Sequence, residues 1–232
     1  MTAAPASTVR SGSVFQSNQS ARRPQRSAVY SSGAISDAGA RRNASLQAAF
    51  AVTGAASLAC ALLLVFSVFG IRQDFADMAV RMPFAFKVVY AGVLVVGASV
   101  VALYAATPGA SATALYALSP AVIFLACGVI FDPTGSPIMG RTSTAFAICV
   151  GHILFLSLPA MILTFVFMRK AAPTHPLFAG AVIGMLSASV GALAYTLACK
   201  NDGTAFVAIW YAVACAIMAL IGAVVGHRVL RW

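Results

Sequence analysis

Apolar residues in this chain gather into six long runs separated by short polar stretches. The runs cover about Ala44–Phe69, Phe84–Ala106, Ala112–Phe131, Thr144–Met168, Leu177–Cys199 and Thr204–Leu230. Each is close to the ~17–25 residues that a helix needs to cross roughly 30 Å of hydrocarbon. No run alternates apolar and polar positions as a barrel strand would, so the predicted elements are transmembrane helices. The expected fold is all-α: a polytopic membrane protein whose six transmembrane helices fill residues 44–232. Pro120 and Pro159 fall inside the third and fourth runs, where kinks are expected because proline lacks the N–H that would continue the helix. Residues 1–43 have no such pattern. They are rich in Ser, Ala and Arg with a single acid, Asp37, and cannot bury enough surface to offset the entropy of ordering. A disordered basic tail is predicted there, with the first run acting as a signal anchor because no short apolar core follows a charged start.

Composition agrees with the pattern. Of 232 residues, 61% are hydrophobic and 9% charged, where soluble domains run near 45–50% and about 25%. The formal charge of +10 would suggest nucleic acid in a soluble protein. Here its distribution is more informative, because short loops rich in Lys and Arg stay cytoplasmic. One side would hold Arg10, Arg22, Arg23, Arg26, Arg41, Arg42, Arg169, Lys170, Arg228 and Arg231. The other would hold Arg72, Arg81, Lys87, Arg141 and Lys200, diluted by Asp74, Asp77, Asp132 and Asp202. Both termini are therefore expected in the cytoplasm of a bacterial inner membrane. The tail would lie near anionic lipid heads or dock a cytosolic partner. No direct nucleic-acid contact is expected.

What the spans lack narrows the function. Glu is absent, and the five Asp residues lie in loops or the tail. Ion-coupled transporters usually keep an ionisable side chain inside the bundle, so a transporter or small-solute facilitator is the weaker reading. No Gly-rich phosphate loop, HExxH or GxSxG is present, and no CxxC, so nothing points to an enzyme. Small residues four apart (Gly180 and Gly184, Ser187 and Gly191, Gly222 and Gly226) predict close helix packing within the bundle.

Of five cysteines, Cys60 and Cys215 fall mid-span, where a thiol behaves as a small hydrophobe, and Cys127 lies late in the third span. Cys149 and Cys199 differ. Spans four and five form a hairpin around "RKAAPTHP". Cys149 to Arg169 is about 30 Å of helix and Pro176 to Cys199 about 34 Å. Antiparallel neighbours then place both thiols at nearly the same depth, the outer rim, facing an oxidising periplasm. There they could form a disulfide, offer two soft ligands to a thiophilic metal, or have no role. His152, one turn from Cys149, is a candidate third ligand.

The C-terminal half resembles the NrsF-like family, bacterial negative regulators of sigma F. The marks are the Ala-Pro-x-x-Pro loop before span five, Ala179–Gly180, Tyr195 ahead of Cys199, Phe206 with Trp210–Tyr211, the terminal Leu-Arg-Trp, and Cys149 ahead of Leu158–Pro159. The resemblance implies a six-span anti-sigma factor without enzymatic activity or resident cofactor. It would hold an extracytoplasmic-function sigma factor inactive on the cytosolic side. It further implies that Cys149 and Cys199 perceive heavy-metal or redox stress, binding a thiophilic metal transiently. A membrane thiol oxidoreductase cycling the same pair is a further alternative.

Overall fold

A computed structural model of the chain describes residues 24–107, 112–132, 135, 138–139, 145–171 and 173–230. Among these, seven α-helices and no strand are found: α1 (Pro24–Leu64), α2 (Phe75–Ala79), α3 (Met82–Ala105), α4 (Ser119–Ile130), α5 (Ala145–Ala171), α6 (Pro176–Tyr195) and α7 (Thr204–Val229). The chain divides into two compact units, residues 1–46 and 47–232. The tail expected to be structureless therefore lies partly outside the described residues. From Pro24 onward its backbone is helical, opening on a proline whose fixed φ suits a first helical position.

Six helices are long and apolar enough to cross a membrane: Ala44–Phe69, Met82–Ala105, Thr113–Ile130, Ala145–Ala171, Pro176–Tyr195 and Thr204–Val229. The fold class is the expected one, and two local details refine it. The first span ends in a π-helical turn, Val65–Phe69, closed by Gly70 at φ 70°, whose N–H donates to the Val65 carbonyl at 2.8 Å. Glycine takes that left-handed conformation without a Cβ clash. The third span begins as a 3₁₀ helix, Ala112–Leu118, and turns α-helical at Ser119. Pro120 thus sits in the first turn of α4, where its missing N–H removes no hydrogen bond. Pro159 lies inside α5, which continues through it.

Helix α6 is the centre of the second unit, with α3, α5 and α7 packed around it. Gly180 and Gly184 on α6 face Gly222 and Gly226 on α7. A Cβ on Gly226 would meet the Gly180 Cα at 2.6 Å, and one on Gly184 would run into the Met218 carbonyl. On another face of α6, a Cβ on Gly191 would meet the Ile153 carbonyl oxygen of α5 at 2.9 Å. Small residues thus bring three backbones close enough for dispersion contacts and fix their crossing, as in membrane bundles where lipid offers no hydrophobic drive. The predicted packing role of these residues within the bundle is the observed one.

Helix α1 is held differently. Toward one end of the first span Phe50 packs against Phe167 (ring centroids 5.5 Å apart), and at the other, in the π-helical turn past α1, Phe69 packs against His152 (4.4 Å). Between these contacts a cavity of about 190 Å³ lies behind α1, lined by residues such as Thr53, Ser57, Ser99, Thr164 and Ser187. Four of those hydroxyls donate to carbonyls of their own helices, four residues back, and so leave the cavity wall effectively apolar.

Candidate functional site

The α5–α6 crossing at Ile153 and Gly191 positions the thiols. Cys149 is one turn from Ile153. Just past α6 the chain tightens, with Leu197 N donating to Ala194 O at 3.3 Å and Ala198 N to Tyr195 O at 3.0 Å, and Cys199 N also donates to Tyr195 O at 2.9 Å. The two cysteines arrive side by side at one end of the bundle, both buried (1% and 2% exposed), both free thiols, and interacting directly. Cys199 lies just beyond the end of the α6 span. The Cys149 thiol beside it holds Cys199 below the ordinary thiol range, against the opposing effect of burial, and Lys87 acts in the same sense.

His152 does not join them. Its Nδ1 pairs with the Tyr195 hydroxyl at 3.0 Å and its ring meets Phe69. Among the described residues no group of three or more His, Cys, Asp or Glu side chains is arranged to hold a metal. Any metal on the thiol pair would need ligands from outside that set. Cys215, the other fully buried thiol, sits apart, 3.8 Å from the Ser189 hydroxyl. Cys127 is exposed and Cys60 half-buried.

A second feature surrounds the pair. Lys87, in the second turn of α3, is completely buried, and Arg72, in the loop after α1, is 4% exposed. Helical side chains lean toward their N-terminus, so the Lys87 ammonium reaches back to the loop between α6 and α7. There Nζ donates to Asp202 Oδ1 at 2.7 Å and to the Cys199 carbonyl at 3.1 Å. Arg72 Nη1 donates to Asp202 Oδ2 at 2.9 Å and to the same Cys199 carbonyl at 3.2 Å. The rest of the guanidinium grips Asp74 bidentately, with both bonds 2.8 Å. Asp74 and Asp202 hold the Arg72 guanidinium firmly charged, and Arg72 in turn holds the Asp74 carboxyl down at about 2. Two cations and two carboxylates form a neutral cluster, the arrangement that makes buried charge tolerable. Its common point is the main chain of Cys199. Arg72 N also donates to the Leu197 carbonyl at 3.2 Å, tying the α1–α2 loop to the same turn.

Nearby, Asp132 accepts from Thr204 Oγ1 (2.6 Å) and Ala205 N (3.4 Å). A carboxylate just after α4 thereby takes one of the free N–H groups at the start of α7, and the Thr204 hydroxyl beside it. Sequence reading placed Arg72, Lys87, Asp74 and Asp202 in polar loops or at a span end and assigned them no partners. One signal was available: a lysine inside a span is costly unless paired.

The fold and this centre define a class: a polytopic α-helical membrane protein with a thiol pair and a neutral ion cluster buried at one end of its bundle. A family model described as negative regulator of sigma F matches residues 35–232. The chain belongs to this family, NrsF. It is similar to the anti-sigma-F factor NrsF of Caulobacter vibrioides, with 31% identity over 179 residues, 74% of this chain and 83% of the relative. It is also similar to the probable anti-sigma-F factor NrsF of Azospira oryzae, with 36% identity over 84 residues, 36% of this chain and 39% of the relative. No solved structure matches.

Proposed function

We propose that this chain is a multi-pass inner-membrane anti-sigma factor with both termini in the cytoplasm. It holds an extracytoplasmic-function sigma factor inactive there and releases it when Cys149 and Cys199 are engaged by a thiophilic metal or an oxidant. The observation that carries the sensing part is the double attachment of Cys199. Its thiol meets Cys149, while its carbonyl is held by Lys87 and Arg72. Chemistry at the sulfur therefore pulls on a backbone point shared by the α1–α2 loop, α3 and the α6–α7 loop. A divalent metal would displace one proton from each thiol and bind the two thiolates. A two-electron oxidant such as a peroxide would take both thiol hydrogens and leave a disulfide. Either product demands sulfur positions different from those of two free thiols, so it favours a different packing of the hairpin. The partner-binding surface is the cytosolic face, with residues 1–43 as its foremost part. Transport and thiol-oxidoreductase readings draw no support from the geometry.

Co-purification tests this reading. A sigma factor should accompany the full-length chain, be lost on deletion of residues 1–43, and dissociate on exposure of cells to cadmium or peroxide. Cys149→Ser and Cys199→Ser should each keep the partner bound under stress. Full release from both variants would overturn the sensing role, and absence of any sigma factor from the intact complex would overturn the partner assignment.

A further inference from the structure

The cavity behind the first span is walled by four membrane-length segments. Thr53 and Ser57 stand on α1, Ser99 on α3, Thr164 on α5 and Ser187 on α6. Water is a poor occupant for such a space. A buried water needs roughly two to four polar partners, and four of the five hydroxyls on the wall are spent on carbonyls of their own helices. That leaves Ser99. The main-chain groups of these helix interiors are already paired with one another. Hydrocarbon suits the space better. An apolar protein cavity of about 150 Å³ stays dry and takes a benzene-sized guest, and this one measures about 190 Å³.

Two further observations say where the hydrocarbon comes from. Gly54 and Ala55 line the cavity and are themselves exposed, so it opens sideways past α1. A Cβ on Gly54 would meet nothing within 4 Å, so the α1 backbone stands clear of its neighbours at this level. Gly54 is also ten residues inside the span that begins at Ala44, about 15 Å along the helix and near the middle of a hydrocarbon layer roughly 30 Å thick. Acyl chains end there. We infer that the cavity is a lipid site: it takes the end of one phospholipid acyl chain, exchanging with the bilayer, between α1 and the face made by α3, α5 and α6. Its volume admits part of a single chain, so recognition is of the chain and not of the head group. The first span is partnered by lipid where the other helices stand away from it. This holds whatever the thiol pair senses.

The test uses the full-length chain in nanodiscs of phosphatidylglycerol, a fraction of it carrying a diazirine at the end of one acyl chain. Peptide mass spectrometry after irradiation locates the label. It is expected on Leu193 of α6 and Ser99 of α3, which line the cavity, and on the outward-facing Val122 and Ile123 of α4. Gly54→Leu fills the cavity from the α1 side and should abolish the first label while leaving the second. Gly151→Leu places the same side chain on an exposed point of α5 with nothing within 4 Å, and should change neither. If Gly54→Leu fails to fold, Ser99→Leu fills the cavity from α3 and the label on Leu193 decides. Label confined to outward-facing positions in the unmodified chain overturns the assignment. So does undiminished label on Leu193 in a folded variant with the cavity filled.

Discussion

Helices α6 and α4 are built from much the same apolar residues and meet very different surroundings. Over the best membrane window of each, 72% of α6 is buried inside the bundle and 11% of the span containing α4. Val122, Ile123 and Ile130 of α4 all point outward. Helix α1 resembles α4 more than α6, with exposed Val52 and Leu63 and a cavity at its back. Hydropathy explains why all of them lie in a membrane and says nothing about which neighbours they keep. In lipid, that choice follows from small residues that admit close backbones and from polar groups that need partners. The α5–α6–α7 part has both, and it carries Cys149 and Cys199. The comparison suggests a rigid half that sets the geometry of the centre and a loosely held first span that continues into the N-terminal unit.

The sharpest way to break this contrast is to enlarge a small residue on each side of it. Gly184→Leu drives a side chain into the Met218 main chain, and should cost at least about 3 kcal/mol or abolish folding altogether. Gly54→Ala in α1 meets nothing within 4 Å, and should change stability by no more than about 1 kcal/mol. Thermal unfolding in one detergent measures both. Similar losses for the two would end the distinction between halves.

A loss of similar size is expected from the ion cluster. Asp202→Asn leaves Lys87, which has no exposure to solvent, without its carboxylate, and removing one partner of a buried pair costs about 3–5 kcal/mol. Lys87→Met in the same background should recover part of the loss, since the unpaired charge disappears with it. The unfolding midpoints of the single and double variants decide this.

The smallest effect concerns Asp74, half of whose side chain is exposed. Arg72 depresses its carboxyl from the ordinary value of 3.8 to about 2. A depressed acid contributes stability above its unfolded pKa, and that contribution fades as pH falls through the folded one. Unfolding followed between pH 4 and pH 2 should therefore show a modest loss in the parent chain. Asp74→Asn should flatten that part of the profile.

The fold was largely legible in the sequence because run length against bilayer thickness is a strong constraint. The depth match of Cys149 and Cys199 was legible too, since two antiparallel helices of similar length leave little freedom. The ion cluster was not. Its members are 130 positions apart at the extremes, Arg72 to Asp202, and no periodicity links a loop arginine to a loop aspartate across four intervening spans. His152 shows the reverse case. Its spacing from Cys149 was suggestive, but the side chain is occupied by Tyr195 and Phe69.

The hollow behind α1 gives the molecule an uneven mechanical response. Hydrostatic pressure acts by eliminating internal void, and here the void adjoins the first span between its aromatic contacts at Phe50 and Phe69. Compression should press α1 inward onto α5 and α6 before the glycine-lined seam yields at all. Squeezing the protein would thus move the very helix that leads into the N-terminal tail, with no metal and no oxidant present.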